Sequence, residues 1–275
     1  MAVAVARELD PGASPLAFFG AELRRRRVAA GMSQEDLGRA VMFSAALIGR
    51  IEMAERMPSQ DFADRCDEAL DSGGFFGRFR DLVKREAFPT WFGPYVENEE
   101  RASKIHNWDQ RFVPGLLQTE DYARAIVRAG RPREAPEVLE RDVAARMERQ
   151  AILARQSPPL LWCVIDEAVL RRPVGGAEIM REQLKRLVEA AESQNIVLQV
   201  LPFAITDHPG ADGPLTILEF GSGPPVAYAE GWRSGRLAES AAEVADAVVV
   251  FDLIRAAALS RGASLDMMRA MEDGP

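Results

Sequence analysis

Ser33-Gln-Glu-Asp-Leu37-Gly-Arg-Ala-Val-Met42-Phe-Ser44-Ala-Ala-Leu-Ile48-Gly-Arg-Ile-Glu52 reads as two short helices joined by a tight turn. Ser33 caps the first: its hydroxyl takes an orphan amide of the first turn while Asp36 reaches back to it. Ser44 opens the second in the same way. A helix-turn-helix needs a small residue midway along its first helix, so that the second crosses closely. It also needs apolar residues at fixed offsets beneath. Gly38 is the small residue, and Leu37, Val41, Phe43, Ile48 and Ile51 are the apolar set.

Working outward, Ser14-Pro15 pairs a cap with a proline at the first helical position. Leu16, Phe19, Leu23 and Val28 then share one face of a helix that Gly31 stops. Arg24–Arg27 lie mostly on another face and read as a solvated surface. Past Glu52, Arg56-Met-Pro58-Ser59 punctuates the chain, and Asp61–Leu70 is a fourth amphipathic segment. Gly73-Gly74 breaks it, and Phe75–Ala87 is a fifth. The expectation for residues 1–88 is an all-α helix-turn-helix bundle with its own core. Phe88-Pro-Thr-Trp-Phe-Gly-Pro94 marks the boundary.

Residues 89–275 read as a larger α/β or α+β domain. Arg101–Val113 is expected to be extended, Thr119 caps a helix to about Ala129, and Pro136 opens another to Arg155. Leu160–Ile165 and Ile196–Leu201 are buried strands flanking a helix over Ala177–Ala191. That order predicts a right-handed crossover and a parallel pair. Leu215–Phe220 and Pro225–Glu230 are strands of a hairpin. Ala238–Leu259 and Leu265–Met271 close the chain as helices. The Ala-rich helix from Ala238 suits either a central core or self-association.

The chain has 275 residues with 34 basic and 42 acidic side chains, a net charge of −8. The acidity is uneven: residues 1–90 carry 13 Lys/Arg against 14 Asp/Glu, and the remainder 21 against 28. Residues 17–60 hold seven Arg against five acids. A local basic face on an acidic chain fits a DNA-binding module tethered to an acidic regulatory domain. No apolar stretch approaches the roughly 20 residues of a membrane span. Met1–Arg7 is too short for a secretory leader. Cys66 and Cys163 read as buried thiols in a reducing cytoplasm. With two histidines, neither a zinc site nor any other metal or cofactor is expected.

Ser33–Leu37, Phe43-Ser44, Leu47–Glu52 and Pro58-Ser59 together resemble the lambda-repressor-like, XRE-type regulators. The resemblance implies that Ser44–Glu52 is a recognition helix in the major groove of double-stranded DNA. Ala45, Ala46 and Arg50 then face the bases, and Gln34 approaches a phosphate. Ser33, Ser44 and Arg56 complete the DNA-facing set. Arg offers bidentate donors to guanine, and a helix N-terminus suits an anion. Met42 and Ala54 stand where the family carries glycine.

From Trp91 the chain resembles the C-terminal domain of WhiJ-like actinobacterial regulators. Val113-Pro-Gly-Leu-Leu-Gln-Thr119, Tyr122-Ala-Arg124, Arg149-Gln150, Asp166-Glu-Ala168, Gln183-Leu184, Leu198–Phe203 and Phe251–Arg255 carry that resemblance. It implies a regulator, often a repressor, working with a small partner protein. A homodimer is expected separately, because one short recognition helix reads too few base pairs.

Acids and a histidine offer a second chemistry. Asp166, Glu167, His208 and Glu230 lie at strand ends or in a Gly/Pro loop, where acids and a histidine form active sites. No nucleophile elbow, phosphate-cradling loop or metal spacing accompanies them, so no catalytic residue is expected. Asp166-Glu167 reads more simply as a helix start. Trp91, Trp108, Trp162 and Trp232 read as core filling, and Leu116-Leu117 as a loop plug or part of a partner groove. The competing functional readings are an antitoxin-like protein-interaction module with vestigial DNA binding and, further off, an enzyme fused to a DNA-binding domain.

Overall fold

A computed structural model describes residues 9–86, 89 and 91–272. Residues 1–8 of the leader, and Ala87, Phe88 and Thr90 of the expected boundary, lie outside the described residues. The chain divides into two compact units. One comprises residues 1–89 with 135–148, the other residues 90–134 with 149–275.

The first unit contains α1 (Pro15–Ala29), α2 (Gln34–Val41), α3 (Ala45–Glu52), α4 (Gln60–Ala69) and α5 (Phe75–Glu86). Phe19, Leu23, Leu37, Val41, Ile48, Ile51, Phe62 and Phe76 are buried to within 1% of completely and form its core. Each such side chain contributes ~1.5–3 kcal/mol by leaving water. Two glycines set how closely the helices cross. A Cβ at Gly38 would stand 2.7 Å from the Phe43 carbonyl oxygen, and one at Gly20 would stand 2.5 Å from that of Ile51. The Asp67 carboxylate caps α5 from α4, accepting the N–H groups of Phe76 and Gly77, each at 2.8 Å. Val28, expected on the apolar face of α1, is instead exposed, and Arg27 takes the buried position.

The rest of the chain runs α6 (Gly93–Arg101), β1 (Lys104–Asp109), α7 (Glu120–Gly130), α8 (Pro136–Arg149), β2 (Leu160–Asp166), α9 (Glu167–Arg171), α10 (Ala177–Ala191), β3 (Ile196–Leu201), β4 (Leu215–Glu219), β5 (Val226–Gly231), β6 (Ser234–Ala238), α11 (Ala241–Ala257) and α12 (Arg261–Glu272). Nearly all of α8 belongs to the first unit. Ala145 joins the first core, and Arg80 Nη2 on α5 meets Glu148 Oε1 at 2.8 Å. A single cut near residue 88 misses this excursion, because amphipathic periodicity does not say which core a helix covers.

The second unit is α+β, built on one six-stranded mixed sheet ordered β3-β2-β1-β4-β5-β6. β1, β2 and β3 run parallel, while β4, β5 and β6 pair antiparallel. The predicted β2–α10–β3 crossover and β4–β5 hairpin are both present. Trp108, Val164, Ile217 and Ala227 face α11, which contributes Val244, Phe251 and Ile254. The β3 edge is covered: the Leu259 N–H donates to the Val200 carbonyl, and the Val200 N–H to Ser264 Oγ. Gln183 clasps the Pro-Gly-Leu-Leu segment, donating to the Leu117 carbonyl and accepting from the Thr119 N–H, both at 2.8 Å. Leu116 and Leu117 are thereby buried.

Three expectations need correction. Pro94 lies in the first turn of α6, where proline is tolerated, so a helix replaces the expected break and β1 is short. The helix read from Ala238 starts at Ala241, because Ser234–Ala238 forms edge strand β6, whose glycine and polar residues mask its pattern. Trp232 is not core: it is 88% exposed at the β5–β6 turn. α11 is a surface helix, with Val249 and Leu253 outward.

Candidate nucleic-acid interface

The helix pair is held by its ends. At the start of α2, the Asp36 N–H donates to Ser33 Oγ at 3.1 Å and the Ser33 N–H donates to Asp36 Oδ2 at 2.9 Å. The Ser33 hydroxyl, the Ser33 N–H and then Arg39 hold the Asp36 carboxyl down at about 2. Ser44 Oγ accepts the Leu47 N–H at the start of α3.

The helix C-termini repeat one motif. At each end an N–H just past the helix bonds back five residues, and its predecessor bonds back three. The pairs are Met32→Arg27 with Gly31→Val28, Phe43→Gly38 with Met42→Arg39, Glu55→Arg50 with Ala54→Ile51, and Ser72→Asp67 with Asp71→Glu68. The motif needs a left-handed residue, and only the first uses glycine. Met42 (φ 59°), Ala54 (φ 58°) and Asp71 (φ 45°) adopt it with a side chain, at roughly 1 kcal/mol each. The Met42 turn fixes the angle between α2 and α3.

Beneath the pair lies a buried ion pair that periodicity did not single out. Arg27 Nε and Nη2 meet Glu52 Oε1 and Oε2 at 2.5 and 2.9 Å, and Arg27 Nη1 donates to the Met32 carbonyl. The Glu52 hydrogen bond raises the Arg27 pKa, against burial. Gln34 Nε2 donates to Glu52 Oε2 at 2.8 Å. These bonds tie the end of α1, the start of α2 and the end of α3 together. The sequence signal was available: Arg27 follows Leu23 by four residues and Glu52 follows Ile48 by four, placing opposite charges on two apolar faces.

The outward side of α3 is small except at one position. Ala46 and Arg50, four residues apart, share a face and are exposed, with Ala45 and Gly49 half-buried beside them. Among the described residues nothing engages the Arg50 guanidinium. A smooth helix surface with one long cation suits close approach to a duplex groove. Ser33 and Ser44 stand exposed at the two helix starts, and Arg56 is half-buried just past Ala54. Gln34 departs from the phosphate-facing role, since its amide nitrogen turns inward to Glu52.

The acids weighed for catalysis hold their own segments. Asp166 Oδ1 caps α9 at Ala168, and Glu167 binds Arg171 and the Phe203 N–H. His208 Nδ1 accepts the Gly210 N–H, and Glu230 is exposed near the end of β5.

Residues 19–74 match the family described as a helix-turn-helix domain. Residues 92–270, more than half of the chain, match a domain of unknown function, DUF5753, and the chain belongs to that family. No curated protein and no solved structure matches. The helix-turn-helix domain points to a DNA-binding regulator. No helix among the described residues is long and apolar enough to cross a membrane.

Proposed function

We propose that this protein is a sequence-specific transcriptional regulator of the XRE type, acting as a repressor in the cytoplasm of an actinobacterium. Its first unit binds operator DNA as part of a homodimer. Its C-terminal domain, of the WhiJ-like kind, receives a signal from a small partner protein or ligand and carries no catalytic chemistry. The observation that carries the reading is Arg50: exposed, without a partner among the described residues, and on the same face as Ala46. A duplicated helix-turn-helix reading two half-sites gives the specificity one helix lacks.

The test is selection of duplexes from a random pool, followed by gel-shift titration of wild type and Arg50→Ala. The substitution weakens binding to the selected sequence by ~1–3 kcal/mol and relaxes preference at one base position. Equal affinity of the two proteins would remove Arg50 from base readout.

A further inference from the structure

Among the described residues four buried side-chain atoms lack a hydrogen-bond partner: His106 Nδ1, Asn107 Oδ1, Arg111 Nε and Tyr228 Oη. Such atoms are uncommon in native proteins, where a water, an ion, a ligand or local strain accounts for them. All four lie on β1, just past it, or on β5. His106 is on the α11 side, with its ring 5.2 Å from Phe251 and Nε2 2.7 Å from Glu219. Asn107 and Tyr228 lie on the sheet's other face, and Arg111 lies just past the end of β1. Asn107 pairs across the sheet with Thr216, and Thr216 with Tyr228, so the three side chains share the opposite face.

Polar contacts surround this place. Arg149 Nε and Nη2 each reach Glu99 at 2.8 Å, and the Tyr95 hydroxyl donates to Glu99 Oε1 at 2.6 Å. Thr216 Oγ1 accepts Asn107 Nδ2 at 2.9 Å. The Asn107 oxygen is left unpartnered. The Tyr95 and Tyr228 rings lie 4.4 Å apart, and Tyr228, 4% exposed, directs its hydroxyl over Gly235, where a Cβ would collide with it. At the carboxyl end of β1, Asp109 Oδ1 accepts the backbone N–H groups of Arg111 and Phe112 at 2.8 and 3.3 Å. Burial raises the Asp109 pKa, and the charge of Glu230 adds to that.

The position has topological meaning. β1 is the strand at which the sheet turns from parallel to antiparallel pairing, with β2 on one side and β4 on the other. There the carboxyl ends of β1 and β5 meet the amino end of β4.

We propose that the β1/β4/β5 end of the sheet binds a small zwitterion of the α-amino-acid type. Its carboxylate is received by Arg111 and the Tyr228 hydroxyl, and its ammonium by Asn107 Oδ1 and the Asp109 carboxylate. One cation and one anion are then matched, and three orphan atoms gain partners. As the signal site of a regulator this rests on the DNA-binding reading above; as a binding site it does not.

The test is calorimetric titration of the full chain, without DNA, with the common amino acids one at a time. At least one binds the wild type at millimolar concentration or below and raises its thermal midpoint. Tyr228→Phe, which removes only an unpartnered oxygen, weakens that binding about tenfold without lowering the free protein's midpoint. Arg111→Lys, which keeps the charge and loses the Nε donor, has a similar effect and stands in if Tyr228→Phe misfolds. No binding by any amino acid, or binding unchanged in both variants, overturns the proposal and leaves the DNA reading intact. Failure to bind DNA while amino-acid binding persists overturns the DNA reading alone.

Discussion

Each unit buries an arginine–glutamate pair, and the two pairs end differently. In the first unit the network closes: both oxygens of Glu52 are taken by Arg27 and Gln34, and the remaining Arg27 reach goes to the Met32 carbonyl. In the second, Arg149 and Tyr95 converge on Glu99, the Tyr95 ring packs against Tyr228, and the Tyr228 hydroxyl is left without a partner. A closed network is a frame. It fixes three helix ends and leaves Arg50 exposed on the surface. An open network keeps its unpartnered groups inside, where a ligand small enough to enter can complete them. Under the ligand proposal, the same pair of residue types serves as scaffold in one place and as the back wall of a receptor in the other.

The sharpest way to break this comparison is to open the closed network. Glu52→Ala leaves Arg27 buried without its anion and destabilises the protein by ~3–5 kcal/mol in denaturant titration. The double change Arg27→Met with Glu52→Leu recovers most of that loss, because a buried ion pair is worth little over apolar groups of similar size. A small effect of Glu52→Ala would mean that the pair does not frame the helices.

A smaller effect tests the helix ends. Ala54→Gly and Met42→Gly each relieve a left-handed side-chain-bearing residue and stabilise the first unit by up to ~1 kcal/mol, less the entropy that glycine adds to the unfolded chain. Destabilisation by both would show that the Ala54 and Met42 side chains contribute more than their backbone strain costs.

The smallest concerns the α2 cap. The folded carboxyl of Asp36 ionises at about 2, below its ordinary value of 3.8. A lowered value means that the cap contributes fully above the ordinary aspartate range, and that its contribution is lost as pH falls toward 2. Asp36→Asn therefore costs stability at neutral pH and approaches no cost near pH 2. A constant difference across that range would contradict the capping role.

Much of the fold was legible because its signals were local. Ser33 with Asp36, Ser44, Gly38 and the apolar offsets specify the helix pair within one short stretch. β2, α10 and β3 were plain from an apolar run, an amphipathic helix and a second apolar run. What stayed hidden depended on partners far away in sequence. α8 joins the first core through Ala145, Gly20 is needed for the backbone of α3, and β6 is an edge strand too polar to alternate. The site was half legible. Arg50 was marked by its place in the motif, whereas the inward turn of Gln34 needs Glu52, 18 residues on. The orphan atoms at Asn107, Arg111 and Tyr228 come together only through pairing of β1, β4 and β5.

Duplex affinity measured against salt reaches the main claim most directly. For the full chain on a selected duplex, log affinity should fall linearly with log salt, by about 0.9 for every phosphate contacted. Arg50→Ala should keep that steepness while losing its preference for the selected sequence over a scrambled one. A flat line, or an Arg50→Ala protein that still tells the two duplexes apart as well as wild type, would contradict it.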